Sequence, residues 1–206
     1  MTTTAPLTPA LDPTRTTRER LVDAAIEVFR EQGYEGARVH DIARAAGLTT
    51  GAIYANYRGK AELMLDAITA SSSAELDSLL RDAPSLAPRD LLETLGSHLL
   101  HNRRVDRPLL LEAVVAARHD PSLAALLHER FAERSAILRN VVERGERDGT
   151  IDPALDPDAL TVFTTTLAMG ALVVRTLDLP LPDPQAWDAL VARLLDALAA
   201  PEQESS

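Results

Sequence analysis

Apolar residues recur every three or four positions along most of the chain, and this spacing predicts amphipathic helices. The first helix is expected to begin after Thr16, because Thr16 and Glu19 have the spacing of a capping box. Its apolar residues then fall at i, i+3, i+4, i+7 and i+8, namely Leu21, Ala24, Ala25, Val28 and Phe29. Gly33 is expected to end this helix as a left-handed cap. Two shorter helices, at about 39–46 and 49–57, and the start of a longer fourth helix are predicted to follow.

Proline marks the predicted helix starts in the rest of the chain. Pro88, Pro121, Pro157 and Pro184 suit the first position of a helix, and an aspartate that can cap the helix precedes the last three. These signals predict five further helices, near 88–102, 107–118, 121–148, 157–178 and 184–199. No segment alternates apolar and polar residues between hairpin turns, so no sheet is expected. The predicted fold class is all-α, with a three-helix head and a larger helical body.

Composition narrows the class of protein. The chain has 206 residues, of which 46% are hydrophobic and none is cysteine. The lack of cysteine excludes disulfides, thiol nucleophiles and iron–sulfur sites. The first residues lack the basic and apolar regions of a signal peptide, and no run reaches the roughly 18 apolar residues expected of a membrane span. A cytoplasmic location is therefore expected.

Charge is distributed unevenly along the chain. Residues 1–60 contain 8 basic and 7 acidic residues, whereas residues 61–206 contain 13 and 24. An acidic body would repel non-specific DNA and leave the near-neutral head as the part that can approach it. Lys60 is the only lysine among the 21 basic residues, which makes its position within a possible binding surface notable.

The two short helices form the pattern of a helix-turn-helix. Residues 46–49 join them, and Gly47 allows the sharp turn that this motif needs. In such a motif the second helix presents its first residues to the major groove of DNA. The pattern alone is weak evidence for DNA binding, because many pairs of short helices are ordinary packing units.

Longer sequence motifs around these two helices make the indication of DNA binding specific. The segment 24–34 contains F-x-x-x-G-Y, and the segment 41–63 contains I-A-x-x-A-G and then G-x-I-Y-x-x-Y-x-x-K. The chain thereby closely resembles the N-terminal DNA-binding domain of the TetR family of one-component bacterial regulators, over about residues 17–65. From this resemblance and from the composition of the two ends, we expect four segments. They are a flexible arm over 1–15, a DNA-binding domain over 16–60, an effector-binding and dimerisation domain over 61–200 and a tail over 201–206.

The resemblance identifies the helix at 49–57 as the recognition helix. It implies phosphate contacts from Thr49, Tyr54 and Lys60. The candidate DNA contacts are Arg38, Thr49, Thr50, Gly51, Ala52, Tyr54, Asn56 and Lys60. Arg38 stands where the family commonly has a serine or threonine cap, so it can bind phosphate but cannot cap in the same way. The arginines at 15, 18 and 20 could follow the DNA backbone or could equally lie on a solvated face.

Family members are homodimers through their last two helices, and this chain offers a suitable pair. The helix at 157–178 is apolar nearly all round, and the helix at 184–199 has one broad apolar face. Two such helices from each subunit would form a four-helix bundle, although burial within one subunit is the alternative. The candidate interface residues are Phe163, Leu167, Gly170, Val174, Trp187, Leu190 and Leu194.

An effector pocket is expected in the body. Its candidate polar lining is His98, His101, Glu112, Arg118, His119 and Thr165, with Met169 beside them. These histidines could also be ordinary surface or core residues, and a metal site at His98 and His101 lacks a third ligand, so no metal and no cofactor are expected. The aliphatic, aromatic-poor body suggests an apolar or amphipathic small molecule.

The expected function is therefore transcription regulation. We expect a homodimeric repressor that binds a near-palindromic operator and is released by a small-molecule effector. An enzyme is disfavoured, because the chain contains no G-x-S-x-G, P-loop or G-x-G-x-x-G motif. A helical adaptor or scaffold without DNA binding is the alternative, and an acidic or scrambled outer face at 49–60 would favour it.

Overall fold

The computed structural model of the chain describes residues 15–71, 78–79, 82–101 and 108–199. These ranges are helical and contain no strand, which confirms the predicted all-α class. A short 3₁₀ helix spans Ala83–Ser85. The α-helices are α1 Thr17–Gly36, α2 Val39–Ala45, α3 Thr50–Asn56, α4 Lys60–Ser71, α5 Pro88–His101, α6 Pro108–Ala116, α7 Pro121–Asp148, α8 Pro157–Thr176 and α9 Pro184–Leu198. Nearly all of the predicted N-terminal arm and the whole predicted tail lie outside the described residues.

Local capping signals set most of the helix starts. The Thr16 side chain accepts a hydrogen bond from the Glu19 N–H, and the Glu19 carboxylate accepts from the Thr16 N–H, which confirms the predicted capping box. The carboxylates of Asp120, Asp156 and Asp183 accept backbone N–H groups at the starts of α7, α8 and α9. A proline follows each of these aspartates, as predicted, because its missing N–H would have no helical partner there.

Gly33 interrupts α1 in a different conformation from the one predicted. Its φ of 69° and ψ of 171° lie far from the left-handed helical region, and one further helical turn continues to Gly36. This backbone conformation is essentially restricted to glycine. A Cβ at Gly33 would lie 2.9 Å from Oε1 of Glu112, so the glycine also makes room for a side chain of α6.

The three helices of the predicted head pack with α4, and α1 to α4 are called the head from here on. Buried apolar side chains and two arginines hold it together. Leu21, Ile42 and Ile53 are fully buried where α1, α2 and α3 meet. The Arg20 guanidinium donates to the carbonyl of Ala46 in the helix-turn-helix turn. Arg18 donates twice to Asp66 on α4. Arg20 is half-buried and braces the head, whereas Arg18 lies on a solvated face, one of its two expected roles, and pairs there with Asp66.

One apolar cluster extends from the head into the body. Leu109, Ala113 and Ala116 on α6, with Leu123 and Leu127 on α7, are buried together with the core of α1 to α4. The expected domain boundary after residue 60 therefore crosses a continuous core. In packing terms, α6 and the first half of α7 are the part of the body that shares its core with the head.

The remaining helices form the outer part of the body. The last helix, α9, packs along α5, and α8 packs along α7. Gly96 permits close contact between α5 and α9, because a Cβ there would lie 2.7 Å from a methyl group of Val191. The Trp187 indole N–H donates to the Gly96 carbonyl at 2.9 Å. One edge of Trp187, an expected dimer residue, is thus used within its own chain.

Candidate DNA-binding surface, effector residues and dimer face

The helix-turn-helix has a rigid turn. Gly47 has a φ of 64°, and the Leu48 N–H donates to the Ala43 carbonyl, which ties the turn back to α2. Ile53 fixes the inner side of α3 because its side chain is fully buried. The outer side of α3 is thereby held at a defined angle to the rest of the head.

The outer face of α3 presents polar groups to solvent. Tyr54 is 61% exposed, and Thr49, Gly51 and Asn56 are also exposed, while Thr50 and Ala52 are half-buried. Thr49 is the N-cap residue of α3, but its side chain makes no capping hydrogen bond. The Asn56 side-chain N–H₂ donates to the Ala52 carbonyl at 2.8 Å. Reading a base edge with Asn56 would therefore require this bond to rearrange or the amide oxygen to be used.

Arg38 precedes α2 and is exposed. It is the N-cap residue of that helix and makes no side-chain capping bond, which agrees with the expectation that it cannot replace a serine or threonine cap. Its guanidinium is directed neither to a capping N–H nor into the core, so it is placed where it could approach a phosphate.

Lys60 has a different setting from the free phosphate contact expected of it. Its ammonium donates to the carbonyls of Tyr34, at 2.7 Å, and Ala37, at 3.2 Å. It also lies 4.2 Å from the centre of the Tyr34 ring. Two of its three N–H donors therefore fasten the end of α1 to the start of α4. A phosphate contact would have to use the third.

Tyr34 connects the head to the body. Its backbone N–H donates to the Glu112 carboxylate at 2.8 Å, and its hydroxyl donates to Oδ2 of Asp120 at 2.6 Å. Burial, and then the hydrogen bond to Asp120, raise the pKa of the Tyr34 hydroxyl. The same bond lowers the pKa of Asp120, although partial burial opposes this. The sequence placed Glu112 in an effector pocket, predicted Asp120 only as a helix cap, and marked Tyr34 only as part of the family motif.

A second tyrosine is bound in a similar way but within the head. The Tyr57 hydroxyl donates to Oδ2 of Asp66 at 3.0 Å, and the side chain is buried. Burial is again the main cause of a raised pKa, and the hydrogen bond to Asp66 adds to it.

We expect these two tyrosines to make the protein less stable in alkali. Their pKa values are raised in the folded state, so above about pH 10 the unfolded chain loses protons that the folded chain retains. The free energy of unfolding should then fall with rising pH, by at most about 1.4 kcal/mol per pH unit for each tyrosine. Urea midpoints between about pH 9 and 11 should decrease less in Tyr34→Phe than in wild type. Equal decreases in both proteins would contradict the assignment.

Two of the expected effector residues lie within hydrogen-bond distance of carbonyl groups of their own helices. The His98 Nδ1 lies 2.7 Å from the Thr94 carbonyl on its own helix, and the Thr165 hydroxyl donates to the Thr161 carbonyl. Arg118 and His119 are exposed on the turn after α6, and Met169 is half-buried. The side chain of His101 lies outside the described residues. Within the described ranges, no three histidine or acidic side chains are grouped as metal ligands.

A surface cavity of about 540 Å³ lies in the head, away from those residues. Tyr54 and Asn56 on α3 line one side, Leu65 and Asp66 on α4 line another, and Leu126 on α7 contributes an apolar wall. The cavity borders the recognition helix, and none of the expected effector residues lines it.

The expected dimer residues on α8 form an exposed apolar stripe. Phe163 is 53% exposed, Leu167 is 41% exposed, and Gly170 is open to solvent with no atom close to a Cβ placed there. On α9, Leu190 and Leu194 are each 47% exposed. Val174 is half-buried. Large contiguous apolar patches on a soluble chain mark contact surfaces.

This exposed helix also qualifies as a membrane span by length and composition. The segment Pro157–Thr176 has a mean hydropathy of 1.4, and only 17% of its apolar window is buried within the chain. No membrane span was expected from the sequence. It is the only helix in the described ranges that meets these criteria, which the core helix of a soluble protein can also meet.

Comparisons with known proteins agree with the helix-turn-helix reading. Residues 21–67 match the family of bacterial regulatory proteins named tetR, and residues 88–200 match the C-terminal domain of BetI-type transcriptional repressors. The regulator SrpR of Pseudomonas putida is 48% identical over 150 residues. That match covers 66% of this chain and 66% of SrpR, so the chain spans just under two thirds of that relative.

Solved structures share the fold. A transcriptional regulator of Pseudomonas aeruginosa PAO1 has a TM-score of 0.72 at 21% identity, covering 88% of this chain and 89% of that one. FadR of Bacillus subtilis, solved with stearoyl-CoA, has a TM-score of 0.65 at 22% identity. The match covers 86% of this chain and 96% of FadR. At these identities the likeness extends to the fold alone.

Proposed function

Because this chain belongs to the TetR family of bacterial transcriptional regulators, we propose that it is a repressor that binds a near-palindromic operator as a homodimer. Each chain supplies one helix-turn-helix to one half-site. The two recognition helices would then lie about 34 Å apart, one turn of DNA. This family consists of regulators and not of enzymes, in agreement with the sequence analysis.

The exposed outer face of α3 is the observation that supports operator binding. Its inner side is fixed by the fully buried Ile53, while Tyr54 on the outer side is 61% exposed. We assign phosphate contacts to Thr49, Tyr54 and Arg38, since hydroxyl and guanidinium groups near helix starts suit phosphate oxygens. Base edges would be read from the side of α3 that presents Thr50, Gly51, Ala52 and Asn56. Lys60 would add a phosphate contact through its remaining donor.

Selection of bound duplexes from a random pool would test this function. Wild-type protein should enrich one near-palindromic motif, and Tyr54→Ala should bind that motif about thirtyfold more weakly, because the dimer loses two phosphate contacts through hydroxyls, each contributing roughly 1 kcal/mol. Val115→Ala is the matched control, since Val115 is 58% exposed but lies on α6, away from α3. It should bind as wild type does.

Failure to enrich any motif would count against sequence-specific DNA binding, provided that the protein is folded and dimeric. Equal affinities for wild type and Tyr54→Ala would leave operator binding intact but would overturn the assignment of this face. Fluorescence anisotropy with the selected duplex, at fixed salt concentration, measures the affinities of wild type and Tyr54→Ala.

The second part of the proposal concerns the dimer and its location. The apolar stripe of α8 and α9 would meet the same stripe of a second chain across a two-fold axis. This pairing would account for an apolar helix that is little buried within one chain, and we propose that the dimer is cytoplasmic. The interface residues proposed are Phe163, Leu167, Gly170, Val174, Leu190 and Leu194, with the free edge of Trp187.

The effector is proposed to be an apolar or amphipathic small molecule bound in the body. The aliphatic composition of the body supports this class, and a structural neighbour, FadR, was solved with stearoyl-CoA. Binding would favour a dimer whose heads no longer match successive half-sites, and DNA would be released by population shift.

A further inference from the structure

Three elements hold Tyr34, although they are distant in the sequence. Glu112, in the middle of α6, accepts its backbone N–H, and Asp120, at the start of α7, accepts its hydroxyl. Lys60, at the start of α4, donates to its carbonyl and lies over its ring. Backbone and side chain of one residue are thus fixed by both the head and the body.

The residues that follow Tyr34 lead directly to the DNA-binding motif. The carbonyl of Ala37 accepts the second Lys60 bond, and α2 begins at Val39. The position of Tyr34 therefore sets the position of the start of α2. A displacement of the α6–α7 corner would reach α2 through a short chain of hydrogen bonds.

The Asp120 carboxylate has two simultaneous roles. Its Oδ1 accepts the N–H groups of Ser122 and Leu123 and so caps α7, while its Oδ2 accepts the Tyr34 hydroxyl. The orientation of this carboxylate is therefore fixed by the axis of α7. Bonds to ionised groups are strong and directional, so a small rotation of α7 would weaken the bond to Tyr34, whereas apolar contacts tolerate small sliding movements.

We propose that Glu112 and Asp120 are positioning residues for operator binding, which act through Tyr34 to couple the α6–α7 corner to the helix-turn-helix. This inference rests on the proposed function and adds its regulation. The coupling is reciprocal: a change in the body alters the head, and operator binding alters the α6–α7 corner to the same extent. The apolar contacts of α4 with α6 and α7 hold the two parts together, and the Tyr34 bonds carry the orientation.

The reciprocal effect can be measured without an effector. We would record amide hydrogen exchange of residues 109–127 with and without the operator duplex obtained by selection. The operator should slow exchange there by about fivefold or more in wild type, the lower end of typical coupling. In Tyr34→Phe, which lacks the bond to Asp120, the operator effect should fall below about twofold.

Tyr57→Phe is the matched control. It also removes a buried hydroxyl that donates to an aspartate, but Asp66 and Tyr57 both lie in the head. A purely structural role for Tyr34 would change stability in both variants and leave the operator effect on residues 109–127 unchanged. We expect Tyr57→Phe to keep the wild-type operator effect.

Asp120→Ser tests the same coupling from the body. Serine retains one oxygen to cap α7, but it has no second oxygen to accept the Tyr34 hydroxyl. It should reproduce the loss seen in Tyr34→Phe. An unchanged operator effect in both variants, or a wild-type protein that binds its operator without slower exchange at 109–127, would overturn the inference alone. Failure to bind any duplex would overturn the proposed function and the inference with it.

Discussion

Replacing Leu167 with glutamate is expected to convert the dimer into monomers and to lower operator affinity by a factor of about 10²–10⁴. Leu167 lies one turn from Phe163 and one turn from Gly170 on the exposed stripe of α8, and it is itself 41% exposed in the single chain. Two-fold symmetry places two copies of the new carboxylate in one apolar interface. An unpaired buried charge costs about 3–5 kcal/mol, and no cation from the stripe would compensate it.

The loss of affinity follows from the loss of linkage between two heads. A dimer that has bound one half-site presents its second head at a high local concentration, and a monomer has no such advantage. Sedimentation velocity would report the oligomeric state, and anisotropy with the selected operator would report the affinity. A half-site duplex should bind Leu167→Glu and wild-type heads with similar strength.

Val115→Glu is the control for this prediction. Val115 is 58% exposed on α6 and lies outside the proposed interface, so a glutamate there should leave both the dimer and operator affinity unchanged. A Leu167→Glu protein that remains dimeric at micromolar concentration would show that another surface forms the dimer.

The second large effect is expected for Gly33→Ala, which should lower the free energy of unfolding by about 2–6 kcal/mol. Its φ of 69° with ψ of 171° strains any residue that has a Cβ, at a cost of about 1–3 kcal/mol. The new methyl group would also lie 2.9 Å from Oε1 of Glu112. If the carboxylate moves away, the Tyr34 N–H loses its partner, at a further cost of about 1–3 kcal/mol.

Gly36→Ala separates strain from a general effect of adding a methyl group. Gly36 lies in the same helix, and a Cβ there would meet its nearest neighbour, the Cβ of Gln32, at an ordinary 3.6 Å. This substitution should be neutral or slightly stabilising. Urea denaturation followed by circular dichroism measures the free energy of unfolding of Gly33→Ala and of Gly36→Ala. In Gly33→Ala/Glu112→Ala the steric part should disappear and the backbone strain remain. Equal stability of the two single variants would show that Gly33 is unstrained.

Sequence reasoning succeeded where the determinants are local. Asp120, Asp156 and Asp183 cap helices that start where predicted, because the cap and the following proline act within one turn. The helix-turn-helix was likewise predictable, since a glycine turn and a few apolar residues define it.

The settings of several candidate residues depend instead on contacts between distant parts of the chain. Glu112 lies 78 positions from Tyr34, and nothing in the pattern of α6 indicates that its carboxylate faces the head. The sequence predicts Lys60 as a phosphate contact, but its bonds to the end of α1 require knowledge of how α1 and α4 pack. The sequence predicts Trp187 as an interface residue on an apolar face, but its indole N–H donates to the Gly96 carbonyl on α5.

The continuous core between head and body limits how this regulator can be recombined with its relatives. A hybrid that joins residues 15–71 to a foreign body would lose the α6 and α7 side chains that cover Leu63 and Ala67, together with both carboxylates at Tyr34. A functional graft would have to transfer the surface of α6 that faces the head, and Asp120, along with the DNA-binding helices. The DNA-binding helices and the body of this chain are therefore not separate modules, and we expect them to diversify in evolution through paired changes on the two sides of this contact.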